Sequence, residues 1–236
     1  MTAMGGFPQV RLHMGWRHVL FANWPVEPVV VADRLPAGLD VDTFDGQAWL
    51  SAVPFTNVDV RPTWWPTGWG FALPELNLRT YVTVDGEPGV YFYNLDAQGL
   101  LGVLGGRWFH HLPYYYARID LDDRGHTVAF TSRRRHPGAP PCRFRGVYRP
   151  TGEAYVAEPG SLDAFLVERY RYYTVDGRGA VRYANVDHDP WPLFRAEADL
   201  VRNDLFAANG FEPPAGTPTW RYSPGVETIA SPNRRL

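Results

Sequence analysis

Five polar side chains, spaced two residues apart, have the types needed to bind and transform a small molecule. They lie in the segment 74–84, where alternating side-chain character is typical of a β-strand with two unlike faces. A carboxyl group can transfer protons, a guanidinium group can bind a carboxylate or an enolate, and a phenol can donate to a carbonyl oxygen. The polar face consists of Glu75, Asn77, Arg79, Tyr81 and Thr83, and the opposite face, predicted to be core, of Leu76, Leu78, Thr80, Val82 and Val84.

Glu75 and Arg79 are predicted to carry the chemistry. In a partly apolar pocket Glu75 would have a raised pKa suited to proton transfer, and Arg79 would anchor an anion. On a strand their Cα atoms are about 13 Å apart, so the spacing does not require an ion pair between them. This face points either to bulk water or into an enclosed cavity, and a buried polar network without turnover fits the pattern equally well.

A second row of candidate residues follows in the segment 114–121, which also alternates. Tyr114 is predicted to donate a hydrogen bond to a carbonyl oxygen as a catalytic residue. Tyr116 and Arg118 share its face and are predicted to bind the ligand. The predicted ligand-binding residues of the first row are Asn77 and Tyr81.

The loop 61–70 carries three tryptophans among proline and glycine residues. So much apolar area is not expected to remain in water. We expect the loop to seal the end of the core or, alternatively, to cover a ligand pocket as a lid, in which case Trp65 contacts the ligand. The other two tryptophans are Trp64 and Trp69.

Residue types and spacing argue against several chemistries. All 23 basic residues are arginine, so no lysine side chain can form a Schiff base. Cys142 is the single cysteine, which excludes an internal disulfide and a multi-cysteine metal site. The seven histidines form no His-x-His or His-x-x-x-His pair, and the chain has no Gly-x-Ser-x-Gly motif or phosphate-binding loop. We therefore predict neither a metal nor a cofactor.

The composition fits one domain spanning residues 1–236. Hydrophobic residues make up 45% of the chain and aromatic residues 15%, enough for a large core that also lines a pocket. A net charge of −2 predicts no nucleic-acid partner and no membrane partner. Because residues 1–16 contain no long apolar run, no signal peptide or membrane span is predicted, and the expected location is the cytoplasm.

Many short strands separated by turns dominate the pattern, without regular alternation of strands and helices. The fold class is therefore predicted to be mainly β (α+β), an antiparallel sheet or barrel with two or three helices added. The predicted helices span 97–109 with Asp96 as N-cap, 162–170 with Ser161 as N-cap, and 204–209.

Eight motifs occur in this order along the chain: Trp24-Pro25-Val26, Leu35-Pro36-Ala37-Gly38-Leu39, Phe44-Asp45-Gly46, residues 74–82, Leu95-Asp96-Ala97, Leu112-Pro113-Tyr114-Tyr115, Glu168-Arg169-Tyr170 and Pro190-Trp191-Pro192. Together they resemble the YqjF-like family of unknown function, which is placed in the acetoacetate-decarboxylase-like superfamily. The resemblance covers nearly the whole chain, and the motif at residues 74–82 is specific. It implies an antiparallel β-barrel that encloses a cavity, often in an oligomer, and favours a cavity over bulk water for the Glu75 face.

The resemblance also identifies a difference in chemistry. The Schiff-base segment of acetoacetate decarboxylase, Tyr-Pro-Lys-Lys, looks similar to Leu112-Pro113-Tyr114-Tyr115, so tyrosines occupy both lysine positions. Imine decarboxylation is therefore not carried over to this chain. By the same resemblance, Glu75 corresponds to a glutamate of the superfamily's cavity.

Three functions are consistent with these observations. The first is a small-molecule enzyme without a covalent amine, a lyase, hydratase or isomerase that acts on a carbonyl or carboxylic compound by acid–base chemistry. The second is a non-catalytic ligand-binding or sensor barrel, and the third is a structural domain with a filled interior. The expected partner is a small-molecule ligand or substrate, and the resemblance adds a homo-oligomer.

Overall fold

A computed structural model describes residues 10–236, and strands account for most of its regular structure. The strands are β1 (Leu12–Val26), β2 (Asp40–Val41), β3 (Ala48–Pro62), β4 (Phe71–Val84), β5 (Glu87–Ala97), β6 (Tyr114–Asp123), β7 (Val128–Arg134), β8 (Arg143–Tyr155), β9 (Arg171–Val175), β10 (Val181–His188), β11 (Leu193–Asn203), β12 (Thr219–Ala230) and β13 (Arg234–Arg235). The helices are α1 (Pro28–Ala32), α2 (Leu100–His110), α3 (Leu162–Val167) and α4 (Leu205–Ala208). The predicted mainly β class is confirmed.

The strands form one sheet in the order β13-β10-β9-β5-β6-β7-β8-β11-β12-β1-β3-β4-β2. Additional pairings join β4 to β5 and β10 to β12, so that the run of strands from β5 to β4 is paired end to end, while β13 and β2 lie outside this circuit. Most neighbours are antiparallel, but β5 pairs in parallel with both β6 and β9. The strand β5 is thus the place where β4, β6 and β9 meet.

The hairpin between β4 and β5 sets the register of the central strand. Its two connecting residues, Asp85 and Gly86, have φ values of 51° and 80°. Positive φ at both positions matches the right-handed twist of the strands, and the Asp-Gly pair tolerates it. The resulting register places Arg79 opposite Phe92. A bulge beyond this pair, between Arg79 and Leu78, shifts the register by one residue, so that Glu75 lies opposite Ala97.

Both faces of β4 are buried. Leu76 and Leu78 are fully buried in an apolar cluster with residues of β1, β3, β6 and β7, as predicted for the core face. The other face contributes Tyr81 to a second apolar cluster with Val53 and Phe55 of β3. The sheet formed by β1, β3 and β4 therefore has one apolar cluster on each side, and the Glu75 face does not point to bulk water.

The first predicted helix is shorter than expected, and its predicted cap was wrong. The helix α2 begins at Leu100, with Gly99 at the N-cap position and no side-chain cap. Asp96 instead belongs to β5 and forms a buried ion pair with Arg134 of β7, with 2.7 Å between Oδ1 and Nε. The strand continues past Asp96 because its carboxylate finds a buried guanidinium rather than the amides of a helix.

The remaining helices also differ from the prediction at their ends. Ser161 caps α3 as expected, since its Oγ accepts a hydrogen bond from the amide of Ala164 at 3.2 Å. The helix ends at Val167 rather than Tyr170, because the chain enters β9 at Arg171. The helix α1 was not predicted: its Val-Val-Val sequence favours a strand, and Pro28 in its first turn is the signal that was available.

The tryptophan loop does not bury its side chains. Trp64 is 73% exposed and Trp69 is 72% exposed, so the expectation that they cover the core was wrong. The loop is held through polar groups instead, since the carboxylate of Asp59 accepts hydrogen bonds from the amides of Gly68 and Gly70. Arg61 adds a hydrogen bond to a loop carbonyl. Backbone anchoring allows the indoles to point outward.

Within residues 10–236, no helix has the length and apolar character needed to cross a lipid bilayer.

Candidate functional site

A pocket of about 670 Å³ lies against the face of β4 that carries Glu75. Apolar and aromatic side chains from β1, β3, β4 and β5 form most of its wall, and a smaller set of polar groups interrupts them. This combination suits a small organic ligand held by a few oriented polar contacts. The apolar wall includes Trp16, Phe21, Val53, Phe55, Leu73, Val90, Phe92, Leu95 and Trp191, and the polar groups include Asn57, Glu75, Asn77, Arg79, His110, Tyr114 and Tyr172.

Glu75 is almost fully buried, with 3% of its surface exposed. Tyr114 donates a hydrogen bond to its Oε2 at 2.8 Å, and the amides of Asn57 and Asn77 approach its two oxygens at 3.4 Å. Burial raises its pKa to about 7, and these three hydrogen bonds offset part of the effect. A carboxyl group with this pKa can both release and accept a proton near neutral pH.

Tyr114 begins β6 and is positioned by α2. Its ring packs against Gly106, where a Cβ atom would overlap the ring. Burial raises the pKa of the Tyr114 phenol well above its ordinary value, and the charge of Glu75 adds to this shift. The phenol therefore stays protonated, and when Glu75 is ionised its one proton is directed at the carboxylate.

Arg79 brings a positive charge to the same pocket. Its Nη2 donates to the carbonyl oxygen of Leu166 at 2.9 Å, and its guanidinium lies over the ring of Phe21, 5.3 Å from the centroid. No ion pair in residues 10–236 includes Arg79, and its buried Nε has no hydrogen-bond partner there. The guanidinium is thus positioned by a backbone carbonyl and an aromatic ring.

Other arginines in the pocket wall already have acidic partners. Arg61 pairs with Asp59 at 3.0 Å, and Arg169 pairs with Asp42 at 2.7 Å. Arg182 lies 3.7 Å from Asp176. Arg79 therefore differs from these three in having a charge that an anionic ligand can compensate.

Two further predicted ligand residues of β4 have different placements. Asn77 lines the pocket and contacts Glu75, and its Oδ1 is buried without a partner in the described part of the chain. Tyr81 is fully buried outside the pocket wall, with its hydroxyl 2.7 Å from Ser51 Oγ and 2.9 Å from the carbonyl of Leu166. Tyr81 thus joins β3 and α3 rather than contacting the pocket.

The structure does not bring Tyr116, Arg118 and Trp65 to the pocket. Arg118 is exposed on β6, one residue from the buried Ala117, so it points away from the core. Tyr116 is half-buried, and Trp65 packs edge-on against Trp64 in the exposed loop. Their positions therefore do not support their predicted role in binding. Alternation along β6 and the composition of the loop hold no information about where the pocket lies.

Sequence reasoning missed several polar pocket residues, and His110 and Tyr172 are the pair among them that forms a direct hydrogen bond. The Nδ1 atom of His110, at the end of α2, lies 2.6 Å from the hydroxyl of Tyr172 in β9. Burial lowers the pKa of His110 to about 4, so its imidazole is neutral at pH 7. Sixty-two positions separate the two residues, so no motif could have linked them.

The described residues contain no group of three or more histidine, cysteine, aspartate and glutamate side chains arranged to hold a metal ion. The single thiol, Cys142, is buried. Burial raises its pKa to about 12, and it does not line the pocket.

Solved structures of acetoacetate-decarboxylase-like proteins share this fold. An acetoacetate decarboxylase-like enzyme from Sphingomonas wittichii RW1 is 14% identical, with a TM-score of 0.59 over 100% of this chain and 96% of that chain. Acetoacetate decarboxylase from Legionella pneumophila is 9% identical, with a TM-score of 0.60 over 100% and 92%. The enduracididine biosynthesis enzyme MppR, complexed with pyruvate, is 11% identical, with a TM-score of 0.61 over 99% and 92%.

Sequence comparison identifies the family. The uncharacterized protein YqjF of Bacillus subtilis (strain 168) is 40% identical over 221 residues, which cover 93% of this chain and 90% of that protein. Residues 13–227 match the DUF2071 family, described as an uncharacterized conserved protein. The YqjF-like resemblance is therefore confirmed, and the chain belongs to the DUF2071 family.

Proposed function

We propose that the protein is an enzyme that acts on a small carbonyl or carboxylic compound by acid–base chemistry, as a lyase, hydratase or isomerase does. One observation carries this proposal: Glu75, with a pKa of about 7, lies in an apolar pocket and is hydrogen-bonded to Tyr114. A group that titrates near the working pH and is shielded from water is suited to proton transfer.

Arg79 supplies the proposed contact with an anion. Its guanidinium is held by Leu166 and Phe21, and its charge has no acidic partner in residues 10–236. A substrate carboxylate would compensate that charge, and the apolar wall would contact the rest of the molecule. We infer a substrate with one anionic group and an apolar body.

The proposed mechanism does not use an imine. Tyrosines occupy the positions that the resemblance aligns with the lysines of acetoacetate decarboxylase, and the chain has no lysine. Tyr114, the first of these tyrosines, contacts Glu75 directly. Stabilisation of an enolate by hydrogen bonds is the alternative that this set of side chains supports.

We also propose that the sheet is a barrel and that the pocket is its internal ligand cavity. The closed succession of strand pairings supports a barrel, and the buried polar residues of β4 support a cavity. A domain with a filled interior receives no support from a pocket of about 670 Å³.

Glu75→Gln tests the enzyme proposal. MppR has been solved with pyruvate, so pyruvate and 4-oxopentanoate serve as probes, and exchange of their α-hydrogens in D2O is followed by NMR. We expect the wild type to accelerate exchange and Glu75→Gln to exchange at least about 100-fold more slowly. Calorimetry should show that the variant retains most of its affinity for the ligand.

The exchange measurement distinguishes an enzyme from a non-catalytic ligand-binding barrel, which could bind its ligand in the same pocket. Glu197→Gln, an exposed carboxyl that pairs with Arg149, is the matched control and should leave exchange unchanged. Binding of the probes without exchange in the wild type would favour the binding protein and contradict the enzyme.

A homo-oligomer remains a proposal. Trp108 of α2 is 73% exposed, as exposed as Trp64 in the tryptophan loop, and burial of such indoles between two copies would be favourable. Light scattering coupled to gel filtration measures the mass directly. A monomer at every concentration tested would reject the proposal.

A further inference from the structure

The end of α2 holds one imidazole in a fixed position in the pocket wall. The carbonyl of His110 accepts a hydrogen bond from Asn233 Nδ2 at 3.2 Å, and the carbonyl of His111 accepts one from Thr174 Oγ1 at 2.6 Å. The ring of His110 is fixed by the hydroxyl of Tyr172, 2.6 Å from Nδ1. Contacts from β9 and from the segment after β12 thus pre-organise this side chain.

The hydrogen-bond partners assign the proton on the ring. Burial keeps the Tyr172 phenol protonated, and Nδ1 of His110 is the acceptor that the described residues offer to its hydroxyl. The hydroxyl proton is therefore directed at Nδ1, the hydrogen-bond partner that the structure gives this phenol within residues 10–236. A neutral imidazole that accepts at Nδ1 carries its hydrogen on Nε2.

The two tyrosines of the pocket flank the same strand. Tyr114 is paired with Leu95, and Tyr172 is paired with Val90, so both rings come from parallel neighbours of β5. Both tyrosines line the pocket that Glu75 and His110 also line. The Glu75–Tyr114 pair and the His110–Tyr172 pair therefore belong to one site.

The proposed reaction requires a hydrogen-bond donor for the carbonyl oxygen of the substrate. Tyr114 cannot supply it while Glu75 is ionised, because its proton then lies on the carboxylate side. We propose that Nε2–H of His110 donates a hydrogen bond to the carbonyl oxygen of a bound keto acid, which makes His110 a second catalytic residue. This inference rests on the proposed function and names keto acids as its substrate class.

The step is a proton transfer without net oxidation. The Glu75 carboxylate removes a proton from the carbon next to the ketone, and the C–H electron pair becomes the C=C bond of an enolate. The π pair of the carbonyl moves to oxygen, where Nε2–H of His110 stabilises the negative charge. In D2O the protonated Glu75 exchanges with solvent and returns a deuteron to carbon, so the keto acid is recovered labelled.

A neutral imidazole suits this role. Burial lowers the pKa of His110 to about 4, and the charge of His111 acts in the same direction. The ring therefore keeps its Nε2 hydrogen without carrying a positive charge, and it can polarise a carbonyl without neutralising the nearby carboxylate.

A binding experiment tests the donor independently of turnover. [2-¹³C]Pyruvate and [4-¹³C]4-oxopentanoate are bound to the wild type, His110→Phe, His110→Gln and Glu75→Gln, and the ketone resonance is recorded. We expect a downfield shift in the wild type and in Glu75→Gln, none in His110→Phe, and a partial shift in His110→Gln, whose amide restores a donor. A downfield shift in His110→Phe as large as that of the wild type overturns the inference. So does the absence of a shift, or of any binding of either acid, in the wild type.

Exchange kinetics then separate His110 from Glu75. His110→Phe should lower the exchange rate by about 100-fold with little change in KM, as removal of an oxyanion donor does. Circular dichroism and thermal melting verify that each variant is folded. If His110→Phe exchanges at the wild-type rate and Glu75→Gln does not exchange, only the role of His110 is rejected. If the wild type itself does not exchange, both proposals are rejected. A lost shift in His110→Phe with wild-type exchange in Glu75→Gln rejects only the role of Glu75.

Discussion

Glu75 has three hydrogen-bond donors around its carboxylate, and its pKa nevertheless lies near 7. Each donor favours the ionised form, but the loss of water around a fully buried carboxyl outweighs them together. The nearby Asp96 adds a smaller effect in the same direction as burial. The pKa of Glu75 is therefore set by two opposing effects: burial raises it, and the hydrogen bonds from Asn57, Asn77 and Tyr114 lower it.

This pKa predicts how stability depends on pH. The folded-state pKa of about 7 lies above the ordinary value of 4.5, so between these values the folded protein retains a proton that the unfolded chain has released. The free energy of unfolding should therefore fall as pH rises through this range, by about 3 kcal/mol in total. Urea denaturation at several pH values measures the slope.

Glu75→Gln should remove this contribution, because an amide does not titrate. The stability of the variant relative to the wild type should increase by about 3 kcal/mol between about pH 4 and about pH 8. Glu197→Gln, at an exposed carboxyl, should retain the wild-type slope. Parallel curves for the wild type and Glu75→Gln would show that Glu75 titrates normally.

Tyr114→Phe should move the titration of Glu75 to higher pH. The phenol is the first of the hydrogen bonds that lower the pKa of the carboxyl, so its removal leaves the burial effect less opposed and raises the pKa above about 7. Carbon-13 NMR of labelled glutamate side chains measures this directly. Tyr116→Phe removes a neighbouring hydroxyl outside the pocket and should leave the titration unchanged; a downward shift in Tyr114→Phe would contradict the argument.

At the residue scale, sequence alone predicted one wall of the site. Alternation along β4 correctly grouped Glu75, Asn77 and Arg79 on one face of the strand. It also included Tyr81, whose hydroxyl is used by Ser51 and Leu166. Partners from other elements are set by the tertiary fold, and single-strand periodicity holds no information about them.

The helix α2 links the glycine pattern of the sequence to the geometry of the site. Glycines weaken a helix, and close packing of its backbone against neighbouring elements can compensate for this. The structure shows such packing, since a Cβ at Gly102 would lie 2.8 Å from Leu73 and one at Gly106 would overlap Tyr114. The small residues allow the helix to approach the two strands that hold Glu75 and Tyr114.

Gly106→Ala should therefore act on the site through Tyr114. The added methyl group must displace the ring, which should cost about 1–3 kcal/mol of stability and weaken the hydrogen bond to Glu75. Thermal melting reports the first effect, and an increase in the Glu75 pKa reports the second. Gly177→Ala is the control, because its Cβ would meet no atom within 4 Å. A Gly106→Ala protein with higher stability and an unchanged pKa would show that the ring is not constrained.

At the element scale, the sequence predicted the strands better than the helix ends. Hairpins with an Asp-Gly turn carry their own local signal, as at Asp85 and Gly86. Asp96 had an equally local signal for a helix cap, but a partner 38 residues away overrides it. The ion pair with Arg134 is buried and two-pronged, so its geometry is fixed by the packing of β5, β6 and β7.

On the scale of the whole molecule, two apolar clusters lie on opposite sides of the same strands. Leu78 of β4 belongs to one cluster, and Leu166 of α3 belongs to the other. The strands β1, β3 and β4 contribute residues to both, as Ala52 and Val53 show. If either cluster melts, these strands lose packing on one face, and so the two clusters should unfold together.

The prediction of a single domain over residues 1–236 can be tested with one substitution on each side. Leu78→Ala and Leu166→Ala each remove a fully buried side chain and should each lower the free energy of unfolding by about 2–5 kcal/mol. In each variant the unfolding transitions followed by near-ultraviolet and far-ultraviolet circular dichroism should shift by the same amount. The two transitions should stay coincident, because neither cluster can unfold alone. Leu236→Ala, at a side chain that is 56% exposed, should shift neither signal. Two separated transitions, with only one of them moved by each substitution, would instead show two independently folding units.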